Sequence, residues 1–217
     1  MEQITKVVSY VKDALLAIYY RDSEEKVSEV CRQDGTVIRR SGTVPDGVVN
    51  EYYSNGKLHR SAEFKNGSEQ GLCIEYYPGG EIFEKNYYRR GVLHGPSNTY
   101  RQDGLLWMEA NYRNGNLHGP FTAYFDDGAV ENRTEYMNGR LHGSYVAYNR
   151  HGIVVEEGKF VRGKKQGTYR IFHETGYPSR VENYRQGKLV SCTEFDESGN
   201  AVSRCGPGRE DVPEGRT

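Results

Sequence analysis

The sequence predicts an all-β protein, an elongated antiparallel meander of stacked β-hairpins with a short N-terminal capping helix. Three observations carry that expectation. Tyrosine (18) and glycine (26) are abundant while Leu, Ile and Val are scarce, a mix that suits short strands and tight turns better than helices. Glycines recur every 24 residues at Gly56, Gly80, Gly104, Gly128, Gly152 and Gly176, and again at Gly67, Gly91, Gly115, Gly139, Gly163 and Gly187. Aromatic residues keep the same phase, as Tyr52, Tyr76, Tyr100, Tyr124, Tyr148 and Phe172, and as Phe64, Tyr88, Tyr112, Tyr136, Phe160 and Tyr184. A period of this length, held without insertion, marks a repeat array.

The elements follow in order. Residues 1–22 carry Ile4, Val8, Val11, Leu15 and Ile18 at helical spacing, which predicts an amphipathic helix. Capping an edge strand is its first reading, and binding a partner or a membrane surface is the other. Residues 23–205 form the hairpin array. It opens on a degenerate hairpin within 26–47, VSEVCRQDGTVIRRSG, and its clear repeats span 48–191. Each unit reads strand, glycine turn, strand, glycine turn. In YYSNGKL (52–58) and around Gly67, Gly115 and Gly139, an Asn-Gly pair suits a tight reversal with positive φ. Alternation puts Leu58, Ile82, Leu106, Val130 and Val154 on the face of the second aromatic series. A third glycine series, Gly71, Gly95, Gly119, Gly143 and Gly167, completes the pattern. A final unit starts at 192–204 with its glycine slipped to Gly199, and the tail 206–217 is expected to be disordered.

Charge and cysteine content narrow the function classes. With 29 Lys+Arg against 30 Asp+Glu, the chain lacks the basic excess that nucleic-acid binding relies on. Cys31, Cys73, Cys192 and Cys205 show no metal-ligand spacing, so free thiols in a cytoplasmic protein are the expectation. The N-terminus has no basic leader and its apolar run is broken by Lys12 and Asp13, which reads as neither signal peptide nor membrane span.

The strings YRNGNLHG (112–119) and YMNGRLHG (136–143) resemble the MORN repeat, in particular its bacterial variant, over about residues 48–199. Where this chain has Pro96, Pro120 or Ser144 after His-Gly, the more regular arrays carry a further glycine. The variant form is similar to bacterial antitoxins of the YwqK type. That resemblance implies a stack of hairpins, no catalytic residues or cofactor, and a protein partner, a toxin in the antitoxin members. Elsewhere such arrays are scaffolds or phospholipid binders.

Candidate chemistry is absorbed by the repeat. His94, His118 and His142 recur one unit apart, roughly 10 Å at two strands per unit, too far to share a zinc ion whose nitrogen ligands sit at about 2.0–2.1 Å. Each is expected to line the second turn and hydrogen-bond the backbone. GKFVRGKK (158–165) imitates a phosphate loop but has Lys165 where Ser or Thr would hold magnesium. No nucleophile has a histidine and acid beside it in the pattern, so no catalytic site, metal or cofactor is expected.

One feature departs from uniformity. Tyr53, Tyr77, Phe83, Tyr87, Trp107 and Phe125 occupy the positions beside the seam aromatics, and later units place polar residues there. Aromatic residues concentrate at the energetic centres of interfaces. Two explanations stand: the N-terminal helix covers this patch, or the patch binds a partner. The expected function is a non-enzymatic protein-binding module, an antitoxin or immunity protein that occludes a toxin. The alternative is a membrane-associated or assembly scaffold, resting on the amphipathic N-terminal helix and on Arg89, Arg90, Arg162, Lys164 and Lys165, which lie spread along the chain.

Overall fold

The computed structural model describes residues 3–11, 14–21, 26–33, 36–42, 44 and 46–205; the tail expected to be disordered lies outside them. The described chain is built of strands. In the first half these are β1 (Gln3–Val11), β2 (Ala14–Arg21), β3 (Lys26–Gln33), β4 (Thr36–Gly42), β5 (Gly47–Tyr52), β6 (Leu58–Lys65), β7 (Ser68–Tyr76), β8 (Ile82–Arg89), β9 (Val92–Tyr100) and β10 (Leu106–Arg113). There follow β11 (Asn116–Leu117), β12 (Gly119–Tyr124), β13 (Val130–Met137), β14 (Arg140–Tyr148), β15 (Val154–Val161), β16 (Lys164–Lys165), β17 (Gly167–Phe172), β18 (Pro178–Arg185), β19 (Lys188–Phe195) and β20 (Ala201–Cys205). Two compact units are present: residues 1–106 with 111–116, and residues 107–110 with 117–217.

The expected N-terminal helix is not formed. Ile4, Val8, Val11, Leu15 and Ile18 lie on β1 and β2, which pair antiparallel from Ile4↔Arg21 to Val11↔Ala14. The physical reason is visible in QITKVVSYV, where β-branched and aromatic residues dominate and favour a pleated surface over a helix; the Ala- and Leu-containing ALLAIYYR follows by pairing with it. β1 also pairs in parallel with β5, Ile4 opposite Val49 and Lys6 opposite Glu51. The core of the first unit forms there from Ile4, Ala17, Tyr19, Val44 and Val49, with Phe64 packed against it. The hairpin expected within 26–47 is present as β3 and β4, paired from Ser28↔Gly42 to Gln33↔Thr36.

From β5 onward the first unit is an antiparallel meander through β9, and the second unit repeats the pattern from β12 through β20. The two glycine series serve two different turns. At the first, Gly56 N–H donates to the Tyr53 carbonyl (2.9 Å) and Tyr53 N–H to the Lys57 carbonyl (2.8 Å), a three-residue loop in which Gly56 alone has positive φ (80°). The expected positive φ at Asn55 is therefore corrected: its side-chain oxygen instead accepts from Lys57 N–H at 3.0 Å. At the second turn both central residues are left-handed, for example Asn138 (51°) and Gly139 (74°), the mirror-image turn that suits strand twist. The third series faces aromatic rings: Gly71↔Tyr88, Gly119↔Tyr136, Gly143↔Phe160 and Gly167↔Tyr184 are cross-strand pairs.

One row across the inner face differs between the units. In the first it runs Val49, Ala62, Cys73, Asn86, Ser97, small and buried throughout. In the second it carries Phe121, Thr134, Tyr145 and Gly158, then Tyr169, Glu182 and Cys192. Rings of Tyr145 and Tyr169 stack at 6.3 Å, and Phe160 meets Tyr169 edge-on at 6.0 Å. At the chain's described end, Cys192 and Cys205 sit opposite each other on β19 and β20 and are disulfide-bonded, which corrects the expectation of free thiols for this pair.

Candidate partner-binding surfaces

Turn chemistry explains several residues that sequence reading singles out. Second-turn glycine N–H groups reach back 22 residues, Gly139 to the Leu117 carbonyl (2.8 Å) and Gly163 to the Leu141 carbonyl (2.7 Å). The adjoining N–H is held by a side chain 20 residues earlier: Asp46 takes it from Asn66, Gln70 from Arg90, His142 from Arg162 and Gln166 from Gln186. His142 thus accepts at Nδ1 (3.4 Å), and His94 Nδ1 bonds the Asn114 side chain (3.3 Å). Of the histidine row, His142 makes the expected backbone tie, His94 ties to a side chain instead, and His118 Nδ1 is buried without a hydrogen-bond partner. The phosphate-loop imitation folds as one of these turns, Val161↔Lys164 closing over Arg162-Gly163.

The aromatic candidates fall into two groups. In the first unit, Tyr53 donates its hydroxyl to the Tyr76 carbonyl (2.5 Å) and Tyr77 to the Tyr100 carbonyl (2.9 Å), each one repeat onward. Tyr53 packs on His59 (4.4 Å) and Tyr77 on Phe83 (5.1 Å). These rings are half-buried ties along the first-turn edge. Tyr87, on β8, is 42% exposed. In the second unit Trp107 is 46% exposed, and Phe125 lies under the Arg150 guanidinium at 4.9 Å. The structure thus brings Tyr77 and Phe83 together. With no helix over residues 3–11 and 14–21, the reading in which such a helix covers the patch falls.

Beside its small buried row, the inner face of the first unit carries tightly paired charges. Arg60 binds Glu69 (2.8 Å), Glu75 (3.2 Å) and Glu51 (3.5 Å), and Lys6 binds Glu51 at 2.8 Å. Burial, more than the Glu75 carboxylate opposite it, pushes Glu84 above the usual carboxylate range, while hydrogen bonds from Asn86 and Thr99 pull it back. Burial also pushes the Cys73 thiol up to about 12, against the pull of Arg60, so it stays protonated and unreactive at neutral pH.

What sequence reading missed is how the charges sort. The second turns carry Lys65, Arg89, Arg90 and Arg113 in the first unit, and Arg140, Arg162, Lys164, Arg185 and Lys188 in the second, with no carboxylate at those turn positions. The first turns of the second unit carry Asp126, Asp127, Glu174, Asp196 and Glu197, with Arg150 bound to Asp126. Basic residues that look spread along the chain therefore gather on one edge of each unit, because their spacing follows the 24-residue phase. In the second unit this edge opens a groove of about 550 Å³ lined by Met137, Arg140, His142, Val161, Arg162, Lys164, Gln166 and Gln186.

Residues 45–66 match the family model of the MORN repeat variant. That match covers the first regular hairpin, β5 and β6 with the Asp46 tie, and it supports a MORN-repeat protein. No curated protein matches the chain. Among solved structures, a mutant of S. aureus TarM in complex with Fondaparinux, alpha-GlcNAc-glycerol and UDP aligns at 13% identity and a TM-score of 0.24. The alignment covers 49% of this chain and 19% of that one, and a likeness this slight carries no argument.

Proposed function

We propose that this chain is a non-enzymatic repeat module that binds another protein, acting as an antitoxin or immunity component that occludes a toxin. The observation that carries the reading is how the scaffold consumes its reactive groups. Histidine, glutamine and tyrosine side chains tie one hairpin to the next, and the thiol at Cys73 is buried and held protonated. What remains at the surface is binding chemistry, with Tyr87 and Trp107 as aromatic anchors and the basic second turns as electrostatic ones. A surface fixed by turn-to-turn hydrogen bonds loses little conformational freedom on association, which favours tight occlusion. Of the six aromatic candidates, Tyr87 and Trp107 serve the partner, while Tyr53 and Tyr77 serve the scaffold.

The test is co-purification from the native host, followed by co-expression with the neighbouring gene in a growth assay. Rescue of growth by the native chain, weakened by Trp107→Ser with Tyr87→Ser, supports the reading. Recovery of no protein partner, together with a harmless neighbouring gene, overturns it. A second reading, a scaffold at an anionic lipid surface, draws on the same basic turns, and co-sedimentation with phosphatidylserine vesicles separates the two.

A further inference from the structure

We propose that the second-turn edge of the second unit is a docking groove for an acidic, helical segment of a partner protein. The inference rests on the protein-binding reading above and names the chemistry of what is bound.

Four observations converge. Arg140, Arg162, Lys164, Arg185 and Lys188 stand at successive second turns, and among the described residues no carboxylate pairs with any of them. The nearby acid Glu182 is already taken by Lys165 (3.5 Å) and Arg180 (3.0 Å). Between the cations the groove has an apolar strip, Met137 (39% exposed) and Val161 (36% exposed). A charged rim around an apolar strip matches an amphipathic helix laid in a groove.

The backbone gives the third observation. The first central residue of the mirror-image turn adopts φ near 50°, and Asn66, Asn114 and Asn138 fill that slot with a residue that tolerates it. Arg162 occupies the same slot at φ 52°, as Gln186 does in this unit and Arg90 in the first, both at φ 53°. A long cationic side chain has thus been placed where turn chemistry disfavours it, and rules broken locally without a structural gain mark functional positions. The acids of the first turns contrast with this. Asp127 and Asp196 accept N–H groups two residues on, so their placement has a local explanation.

The fourth is spacing. Successive second turns are two strands apart, about 9.6 Å, and residues i and i+7 of an α-helix are about 10.5 Å apart. Carboxylates repeating every heptad would meet one turn after another. A lipid surface fits less well, because Met137 and Val161 are not the Trp, Phe or Leu side chains that insert at an interface. Nucleic acid is opposed by the net charge of −1.

The test uses the full chain and a labelled synthetic peptide of three heptads, with Glu and Leu at amphipathic spacing. A control peptide has the same residues plus two internal prolines. The expected result is that the helical peptide binds at least about tenfold tighter than the control, since the helix supplies the register. The triple variant Arg162→Asn, Lys164→Ser and Lys188→Ser is expected to lose about tenfold or more, with a weaker salt dependence. The triple variant is also expected to melt no lower than the native chain, which excludes unfolding as the cause of its lost affinity. Equal binding of the two peptides overturns the proposal, as does unchanged binding by the triple variant. Phosphatidylserine vesicles that bind while the peptide cannot displace them also overturn it. If the host partner binds the triple variant unchanged, this groove is not its site and the protein-binding reading still stands.

Discussion

At Gly158 an added Cβ would lie 2.6 Å from Cε2 and 2.9 Å from Cγ of Tyr169, whose ring is held by Tyr145, Phe160 and Tyr184. Gly158→Ala is therefore expected to destabilise by about 1–3 kcal/mol, the cost of overpacking. Adding Tyr169→Cys should recover part of that loss, because it recreates the Ala62/Cys73 pair of the first unit. A double-mutant cycle by urea unfolding measures the coupling. Glu84 has the opposite character. Its folded-state value is raised, so the folded chain holds the extra proton, and stability falls as pH climbs from the ordinary carboxylate value to the raised one. Glu84→Gln is expected to stabilise at neutral pH by roughly 0.2–1 kcal/mol, the scale of a like-charge cross-strand pair, and to do nothing below the ordinary value. Thermal melts of both proteins across pH 3–8 (a window of roughly that width) check it.

Strands and turns show which parts of the fold were readable in advance. Glycine phase and aromatic phase located the regular hairpins, because each turn type demands left-handed backbone at a fixed place. The N-terminal strands were not readable by periodicity, since Ile4, Val8, Val11, Leu15 and Ile18 match a helical spacing while their neighbours match a strand. Partners decided it: β1 gains a ladder on both sides, from β2 and from β5, and the parallel pairing to β5 joins segments some 45 residues apart, as in Lys6↔Glu51. The disulfide was likewise hidden, because Cys192 and Cys205 become opposite only once β19 and β20 pair. Reducing it should loosen the last strand rather than the whole chain. A closed loop of this size, with 13 residues of separation, contributes about 3 kcal/mol in the chain-entropy account. Hydrogen exchange is expected to rise on β20 after reduction while β13–β15 stay protected.

For the molecule as a whole, near-neutrality conceals order. The chain carries a net charge of −1, yet the second unit has cations at one set of turns and carboxylates at the other. The candidate groove was therefore legible in the sequence only after folding its charges modulo the repeat. Counted along the chain, Arg140, Lys164 and Lys188 look scattered; counted by phase, they coincide. The aromatic candidates erred in the other direction, since Tyr53 and Tyr77 look like anchors until their hydroxyls are seen to meet carbonyls one repeat away. Raising ionic strength is expected to weaken partner binding steeply while leaving the melting temperature almost unmoved, because among the described residues no carboxylate pairs with Arg140, Arg162, Lys164, Arg185 or Lys188, and the Arg60 ion pairs are largely shielded from solvent.

The backward reach of the second-turn glycines from Gly91 to Gly187, 22 residues to the preceding carbonyl, has an evolutionary corollary. Excising residues 137–160 would hand the Leu117 carbonyl from Gly139 to Gly163, so the splice heals itself. Cutting half as much would reverse strand direction and orphan every later contact. Chains of this kind can lengthen or shorten by whole periods in a single genetic event, and a purified deletion of one period should still melt cooperatively while a half-period deletion should not.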